Sequence, residues 1–262
     1  MCTETVPQFE EKRFKEIADG VFVFEGQDIS LETKIYKYMD LSALFGIMDG
    51  HFRISRRKDY SDVYEHGVVT LRCAEFMLPA GESATEDDRK RRAEYEKFRK
   101  SAANLLCSCF TVAHDEMHCM WKSFTSGYTG IRIETTVGAF AESLKDRGIK
   151  LFIGTMRYYS IDMGAIDRTR YIFAKNKCYS PESELRIYFK LEEKTECGGY
   201  NQFDENCYLN VDGSKLVQSV LLSPFIPGSS CFKGWLLTSI QNQYPDLKNK
   251  ISHSAIKVAD KF

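Results

Sequence analysis

The sequence lacks an excess of charge of either sign, and it lacks a long apolar run. Its 36 basic and 37 acidic residues leave a formal net charge of −1. This balance argues against a protein that mainly coats nucleic acid, because such proteins carry a strongly basic surface. The longest apolar run, SVLLSPFIPG, is too short to span a bilayer, and the charged N-terminus lacks the apolar core of a signal peptide. We therefore expect no membrane association and a cytoplasmic location.

The nine cysteines include no C-x-x-C pair, which is the usual spacing of zinc and dithiol sites. An odd, scattered set is typical of reduced thiols in an intracellular protein. The densest stretch, CSCFTVAHDEMHC at 107–119, has His114 and His118 four residues apart, but Asp115 stands where a zincin helix needs glutamate. We expect no metal, core cysteines (Cys107, Cys109 and Cys119) and exposed histidines, and the sequence leaves any redox role of this stretch open.

Three nucleotide and hydrolase motifs are also missing. The chain contains neither G-x-G-x-x-G nor G-x-x-x-x-G-K-[ST], and it has no G-x-S-x-G. These absences argue against a Rossmann dehydrogenase, a P-loop NTPase and a Ser-His-Asp hydrolase of the common type.

The pattern of elements predicts an α+β fold, because strand-like segments dominate the middle of the chain without regular βα alternation. We expect an N-terminal lead at 1–30 and a single domain at 31–262. Alternation in IYKYM predicts a strand, and the following leucine pattern predicts a helix capped by Asp40. Residues 85–106 are expected to form an exposed amphipathic helix capped by Thr85, and 168–179 are expected to form a short helix.

The stretch CYSPESELRIYF, residues 178–189, carries two acids at the start of an apolar-aromatic run. In a strand with period two, Glu182 and Glu184 point to the same face, together with Arg186. One interpretation is a solvated strand edge with an exposed ion pair that contributes under about 1 kcal/mol. The other is a site, because polar side chains collect at strand ends where sites form.

The order of motifs along the chain resembles a mostly bacterial protein family of unknown function. That family carries an aromatic-[HK]-Y strand, a leucine helix ending in glycine, D-x-x-E, C-F-S, M-W followed by G-x-x-I, and E-x-E-x-R. The matching segments here are YKYMDLSALFGIMDGHFRIS, YSDVYE, CFT, MWKSFTSGYTGIRIE and CYSPESELRI. The family also has N-D-P-F-E around its D-x-x-E, a tryptophan before the E-x-E and a late I-x-L-G, which corresponds to SVLLSPFIPG here. The departures from these patterns are Ser61, Val63, Tyr64, Tyr179 and Ser223.

The first strand and helix are also distantly similar to those of ADP-ribosyltransferases. This resemblance implies two small mixed or antiparallel sheets that hold NAD in a cleft, with flanking helices. It implies Glu184 as the principal catalytic residue, beneath the oxocarbenium-like ribose, and Glu182 as the base for the acceptor. Lys37 stands where the family has histidine or arginine. The implied NAD-binding residues are Lys37, Tyr38, Arg53, Ser55, Tyr60, Trp121 and Arg186.

The resemblance further implies an intracellular protein or nucleic acid as the acceptor, as in toxins and antiviral defence effectors. Two alternatives stay open. One is a module of the same fold that binds a nucleotide without cleaving it. The other is a metal-dependent nuclease that uses Asp62, Glu65, Glu182 and Glu184 as ligands of a hard cation.

Overall fold

The chain was analysed as a computed structural model. The structure describes residues 11–56, 84–90, 92–93, 105–145, 148–159, 172–191, 200–203, 206–226 and 230–257. It divides into two compact units, each built from separate segments: unit 1 from 1–27, 55–108 and 150–190, and unit 2 from 28–54, 109–149 and 191–262. Helices and mixed sheets occur together, which confirms the α+β class.

Fourteen strands lie within the described residues. They are β1 (Phe14–Ala18), β2 (Val21–Phe24), β3 (Lys34–Asp40), β4 (His51–Arg56), β5 (Leu106–Thr111), β6 (Gly130–Thr136), β7 (Ile149–Thr155), β8 (Arg157–Tyr159), β9 (Ala174–Asn176), β10 (Glu184–Leu191), β11 (Tyr200–Phe203), β12 (Asn206–Asn210), β13 (Ser219–Leu222) and β14 (Ile251–His253). The helices whose two ends both lie within the described residues are α1 (Leu41–Met48), α2 (His118–Phe124), α3 (Val137–Ser143), α4 (Gly213–Leu216) and α5 (Ser230–Gln243), with 3-10 turns at Glu11–Arg13, Lys177–Glu182 and Pro245–Leu247.

Unit 1 contains a mixed sheet in the order β1-β2-β7-β10. Strand β1 is antiparallel to β2, and β2 is parallel to β7. A separate two-stranded parallel sheet joins β8 and β9. Strands β1 and β2 fall within the expected N-terminal lead, and their side chains Phe14, Val21, Val23 and Phe24 are buried.

Aromatic side chains form the core of unit 1. Phe14 meets Phe24 and Phe152 edge to face at ring-centroid distances of 5.3 and 5.1 Å. Phe173 meets Tyr188 of β10 in the same way at 5.5 Å. Strand β10 is buried on both faces from Glu184 to Phe189, so its first residue already lies inside the unit.

Unit 2 is built on an antiparallel pair, β3 with β6, in register from Lys34↔Thr136 to Asp40↔Gly130. Strand β13 is antiparallel to β6 and parallel to β14, and β12 joins β11 to β4. Helices α1 to α5 all belong to this unit. The sheets of both units therefore mix parallel and antiparallel pairs.

Two helix starts show which local predictions hold. Thr85 caps the helical stretch at 86–90: its hydroxyl accepts from the Asp88 N–H at 3.2 Å, and the Asp88 carboxylate bonds back to the Thr85 N–H at 3.0 Å. This is the reciprocal capping arrangement. The predicted end at 106 is wrong, because Leu105 is buried and Leu106 opens β5. The apolar run LLCSCF is more favourable in a strand than on an exposed helix.

Asp40 stands at the N-cap position of α1, but its side chain accepts no hydrogen bond from that helix. Its carboxylate instead accepts from the Ser126 N–H at 2.8 Å, the Ser126 hydroxyl at 2.6 Å and the Thr129 hydroxyl at 3.2 Å. Burial raises the pKa of Asp40, but these hydrogen bonds outweigh it and hold the pKa below its ordinary value. The expected side-chain cap is therefore wrong, and Asp40 holds the loop that follows α2.

Candidate functional site

The two acids of the CYSPESELRIYF stretch do not lie on one strand. Residues Lys177–Glu182 form a 3-10 turn, capped by Asn176, whose side chain accepts from the Cys178 N–H at 3.0 Å. Ser183 then adopts the left-handed conformation (φ 44°, ψ 49°), and β10 begins at Glu184. The predicted common strand face for the two acids is wrong, because Pro181 and the left-handed Ser183 break the extended run between them.

The two carboxylates nevertheless converge on one ammonium group. Lys175 of β9 donates from Nζ to Oε2 of Glu182 at 2.7 Å and to Oε2 of Glu184 at 3.0 Å. The same Nζ lies 4.6 Å from the centroid of the Tyr179 ring. The Lys175 side chain is fully buried, while Glu182 is 17% exposed. The 3-10 turn and β10 thus each place one carboxylate within hydrogen-bond distance of the Lys175 ammonium.

Arg186 completes the charge cluster from the same face of β10 as Glu184. Its Nε donates to Oε1 of Glu184 at 2.6 Å, and the side chains of Arg186 and Glu184 are 0% and 3% exposed. The expected ion pair is present, but it is buried, so the interpretation of a solvated strand edge fails. We call Lys175, Glu182, Glu184 and Arg186 the charge cluster.

Tyr158 borders the charge cluster from β8. Its hydroxyl oxygen accepts from the backbone N–H of Glu184 at 2.8 Å. Burial raises the pKa of Tyr158 to about 12, with the nearby carboxylates of Glu184 and Glu182 adding to the rise. The phenol therefore keeps its proton at physiological pH and remains a hydrogen-bond donor beside the cluster.

Burying four charged groups is costly unless each is paired. Two carboxylates and two cations give the cluster a formal net charge of zero, and Lys175 and Arg186 take opposite oxygens of Glu184. A buried pair stabilises little compared with an apolar replacement, because desolvation offsets the attraction. Strongly coupled charges at a strand entrance are a candidate functional site on physical grounds.

Two further predicted site residues, Lys37 and Tyr38, lie in unit 2 on opposite faces of β3. Lys37 donates from Nζ to the Cys109 carbonyl oxygen at 2.8 Å and lies 5.2 Å from the Phe110 ring centroid. Tyr38 is buried and meets Trp121 edge to face at 4.8 Å. Adjacent residues of a strand face opposite ways, so these two side chains do not line a common surface of β3.

Trp121 is fully buried, and its indole N–H donates to Oε2 of Glu116 at 3.2 Å. The carboxylate of Glu116 also accepts from the Ser254 hydroxyl and from the Ala255 N–H. In this structure Trp121 therefore packs as a core residue, with its ring beside Tyr38.

The other predicted site residues are scattered. Arg53 is exposed on β4, opposite Tyr208, and Ser55 of unit 1 is half-buried opposite Cys107. Tyr60, Asp62 and Glu65 lie outside the described residues.

Sequence reasoning missed Lys175 and Tyr158. The stretch expected as a short helix at 168–179 contains β9 at Ala174–Asn176 instead, so Lys175 belongs to a strand. The available signal was a lone lysine at the end of the apolar run 172–174, seven residues before the first acid. No local pattern connects Tyr158 with Glu184, which is 26 residues away.

The cysteine and histidine stretch is divided between core and surface. Cys107 is buried and Cys109 half-buried, but Cys119 is exposed, so a core position for Cys119 is wrong. His114 and His118 are exposed, as expected. Across the described ranges, no group of three or more His, Cys, Asp or Glu side chains is arranged to hold a metal ion.

Comparisons with known proteins return no match: no family model, no curated protein and no solved structure is significantly similar to the chain. No helix in the described part of the chain has the length and apolar character needed to span a bilayer.

Proposed function

We propose that the chain is an ADP-ribosyltransferase-like enzyme that binds NAD, cleaves its nicotinamide–ribose bond and passes ADP-ribose to an intracellular macromolecule or to water. The observation that carries this proposal is the convergence of Glu182 and Glu184 on the buried Lys175 ammonium. The motif order, with E-x-E-x-R at 182–186, supports the same assignment.

The charge cluster suits a reaction that builds positive charge on a sugar. As the nicotinamide bond breaks, the ribose becomes oxocarbenium-like, and a fixed carboxylate stabilises it. Glu182 is the carboxylate that a substrate can reach, since it is 17% exposed, whereas Glu184 is 3% exposed. We therefore assign substrate contact to Glu182, in place of the principal role expected for Glu184.

Glu184 acts behind Glu182 in this proposal. One of its carboxylate oxygens accepts a hydrogen bond from Lys175 Nζ at 3.0 Å, and the other accepts one from Arg186 Nε at 2.6 Å. It thereby fixes the ammonium that holds Glu182 in place. Tyr158 supplies a phenol that stays protonated beside both acids, and it can donate to a hydroxyl or phosphate oxygen of a bound nucleotide.

The residues present fit NAD in part. The fit rests on the accessible carboxylate of Glu182, the phenol of Tyr158 and the half-buried ring of Tyr179. The expected aromatic and basic pair, Tyr38 and Lys37, does not share a face of β3. We therefore keep Lys37, Tyr38 and Trp121 out of the reaction and propose that the cleft lies at the charge cluster.

A second candidate, a module that binds NAD without cleaving it, is favoured by one specific observation. Both oxygens of Glu184 are already bonded to cations, and the side chain is nearly buried. The third alternative, a metal-dependent nuclease, has less support. The Lys175 ammonium lies between Glu182 and Glu184, where a shared metal ion would have to bind.

The proposal is tested by incubating the protein with NAD labelled in its adenine and, separately, in its nicotinamide, in the presence of cell lysate. The wild type is expected to release nicotinamide and to label an acceptor. NAD is also expected to raise its melting temperature, because a ligand at 100 times its Kd adds about 2.7 kcal/mol of stability. Glu182→Gln is expected to lower the release rate by about 10²–10³-fold, the cost of losing one electrostatic stabiliser of the transition state.

The control is Glu142→Gln, which changes an exposed acid on α3 and is expected to behave as the wild type. NAD binding without nicotinamide release would select the non-catalytic module. Absence of release, of labelling and of any thermal shift in the wild type would refute both.

A further inference from the structure

Among the described residues, Lys175 is the one buried lysine. Burial of an ammonium group is unfavourable unless acceptors replace its water shell. Here the acceptors are two carboxylates that the chain brings from two elements, Glu182 from the 3-10 turn and Glu184 from β10. The side chain of Lys175 is fully enclosed, so it cannot reach a macromolecular acceptor itself.

The contacts of Lys175 determine where both acids lie. Its Nζ bonds to Oε2 of each carboxylate, at 2.7 and 3.0 Å, and its position is further restrained by the Tyr179 ring. Without an intervening cation, two carboxylates at this separation would repel each other. In the structure the ammonium forms one charge-assisted hydrogen bond with each carboxylate, and these two bonds offset the repulsion.

We propose that Lys175 is the positioning residue of the candidate active site: it holds Glu182 and Glu184 together in their ionised forms and sets the lower pH limit of activity. The inference rests on the proposed function for its activity readout, and on the charge cluster alone for its stability readout. Among the described residues, the groups around the ammonium are Glu182 and Tyr179 from the 3-10 turn, Glu184 from β10 and Tyr158 from β8, with Arg186 of β10 on the other oxygen of Glu184.

Loss of the Lys175 charge is expected to raise the pH at which the neighbouring acids ionise. Arg186 still donates to Glu184 through Nε, whereas Glu182 loses its hydrogen bond to the Lys175 ammonium. One of the two acids keeps its proton to a higher pH, since removal of a close opposite charge shifts ionisation by about 1–3 pH units. The acid limb of the activity profile is therefore expected to move to higher pH by about 1–3 units.

The experiment compares Lys175→Met with Lys175→Arg and with Lys177→Met, a matched change at an exposed lysine two residues along the chain. Nicotinamide release and the urea midpoint of unfolding are each measured from pH 4 to pH 9. The inference predicts an upward shift of the acid limb of nicotinamide release in Lys175→Met. It predicts that the urea midpoint of this variant lies below that of the wild type at pH 7 and that the difference shrinks as the pH falls toward 4, because the stability contributed by a paired carboxylate is lost in acid. It predicts that Lys175→Arg keeps the wild-type acid limb with a reduced rate, and that Lys177→Met matches the wild type.

Glu182→Gln provides a second arm that does not require Lys175→Met to fold. Glu184 keeps its bonds to both cations, but the ion pair between Glu182 and Lys175 is gone. The urea midpoint of this variant is therefore expected to fall less between pH 7 and pH 4 than that of the wild type, because one paired carboxylate no longer loses its contribution in acid. Coincident acid limbs of nicotinamide release for Lys175→Met and the wild type, or an equal acid-dependent fall of the urea midpoint in Glu182→Gln and the wild type, would overturn the inference. A wild type without nicotinamide release refutes the proposed function, and the stability measurements then decide the role of Lys175 separately.

Discussion

Neutralising Glu184 should destabilise unit 1 severely. The Glu184→Gln change keeps the size of the side chain but removes the negative charge that is paired with both Lys175 and Arg186, at 3.0 and 2.6 Å. Lys175 keeps Glu182 as a partner at 2.7 Å. The guanidinium of Arg186, which is fully buried, loses the carboxylate that its Nε contacts.

Removing one partner of a buried ion pair costs about 3–5 kcal/mol, mostly because a desolvated charge is left uncompensated. For a chain of this size, each kcal/mol moves the melting temperature by about 2–4 °C. We therefore expect a decrease of about 6–20 °C. The matched control is Glu134→Gln, because Glu134 also holds a lysine at 2.7 Å, but Lys34 is 55% exposed. Exposed pairs contribute about 0–1 kcal/mol.

Unfolding is followed by far-ultraviolet circular dichroism in urea, together with hydrogen exchange at the amides of 184–190. Glu184→Gln should lower the urea midpoint and the protection of β10, while Glu134→Gln should leave both close to wild type. Equal small losses in the two variants would show that the charge cluster is solvated, and the electrostatic reasoning would be wrong.

Two further predictions concern backbone and loop positions. A Cβ added to Gly154 would lie 2.6 Å from the buried Phe173 ring, whereas one added to Gly234 of α5 meets nothing within 4 Å. In calorimetric melting, Gly154→Ala should therefore destabilise by about 1–3 kcal/mol and Gly234→Ala should stabilise by about 0.5–1 kcal/mol; equal effects would contradict the predicted packing. Asp40 has a pKa held below its ordinary value by the loop at 126–129, so its contribution is complete above about pH 4 and is lost as the pH falls further. Asp40→Asn should cost about 1 kcal/mol at pH 7, and the difference from the wild type in urea titrations should shrink toward pH 2; a constant difference would refute the assignment.

Local sequence patterns predicted the strands and helices whose buried side chains recur at a regular spacing. The alternation in IYKYM corresponds to β3, and ELRIYFKL forms β10. The cap at Thr85 was predictable because a capping box depends on residues three apart. The role of Asp40 was not predictable, since its partners lie 86 and 89 residues along the chain.

The candidate site was predictable only from its two acids. Their meeting depends on a left-handed Ser183 and on Lys175 from a separate strand. Alternation placed Glu184 and Arg186 on one face correctly, because both lie within β10. It failed for Glu182, because alternation applies only where the backbone is extended. Lys175 and Tyr158 reach the acids through tertiary packing, which cannot be predicted from residue spacing along the chain.

The sequence does not indicate the division into two units. Each unit draws on three separate segments, so no linker or change in composition marks a boundary. The aromatic core of unit 1 joins Phe14 and Phe24 near the N-terminus to Phe152, Phe173 and Tyr188. Contacts over such separations depend on packing rather than on local periodicity.

The proposed cleavage of NAD at the charge cluster through Glu182 is decided by nicotinamide release from purified wild type and Glu182→Gln at equal occupancy by NAD. Occupancy is set from Kd values measured by calorimetry. The wild type is expected to release nicotinamide and the variant to lose about 10²–10³-fold in rate, with similar Kd values. Equal release by both proteins, or no binding of NAD by the wild type, would refute the proposal.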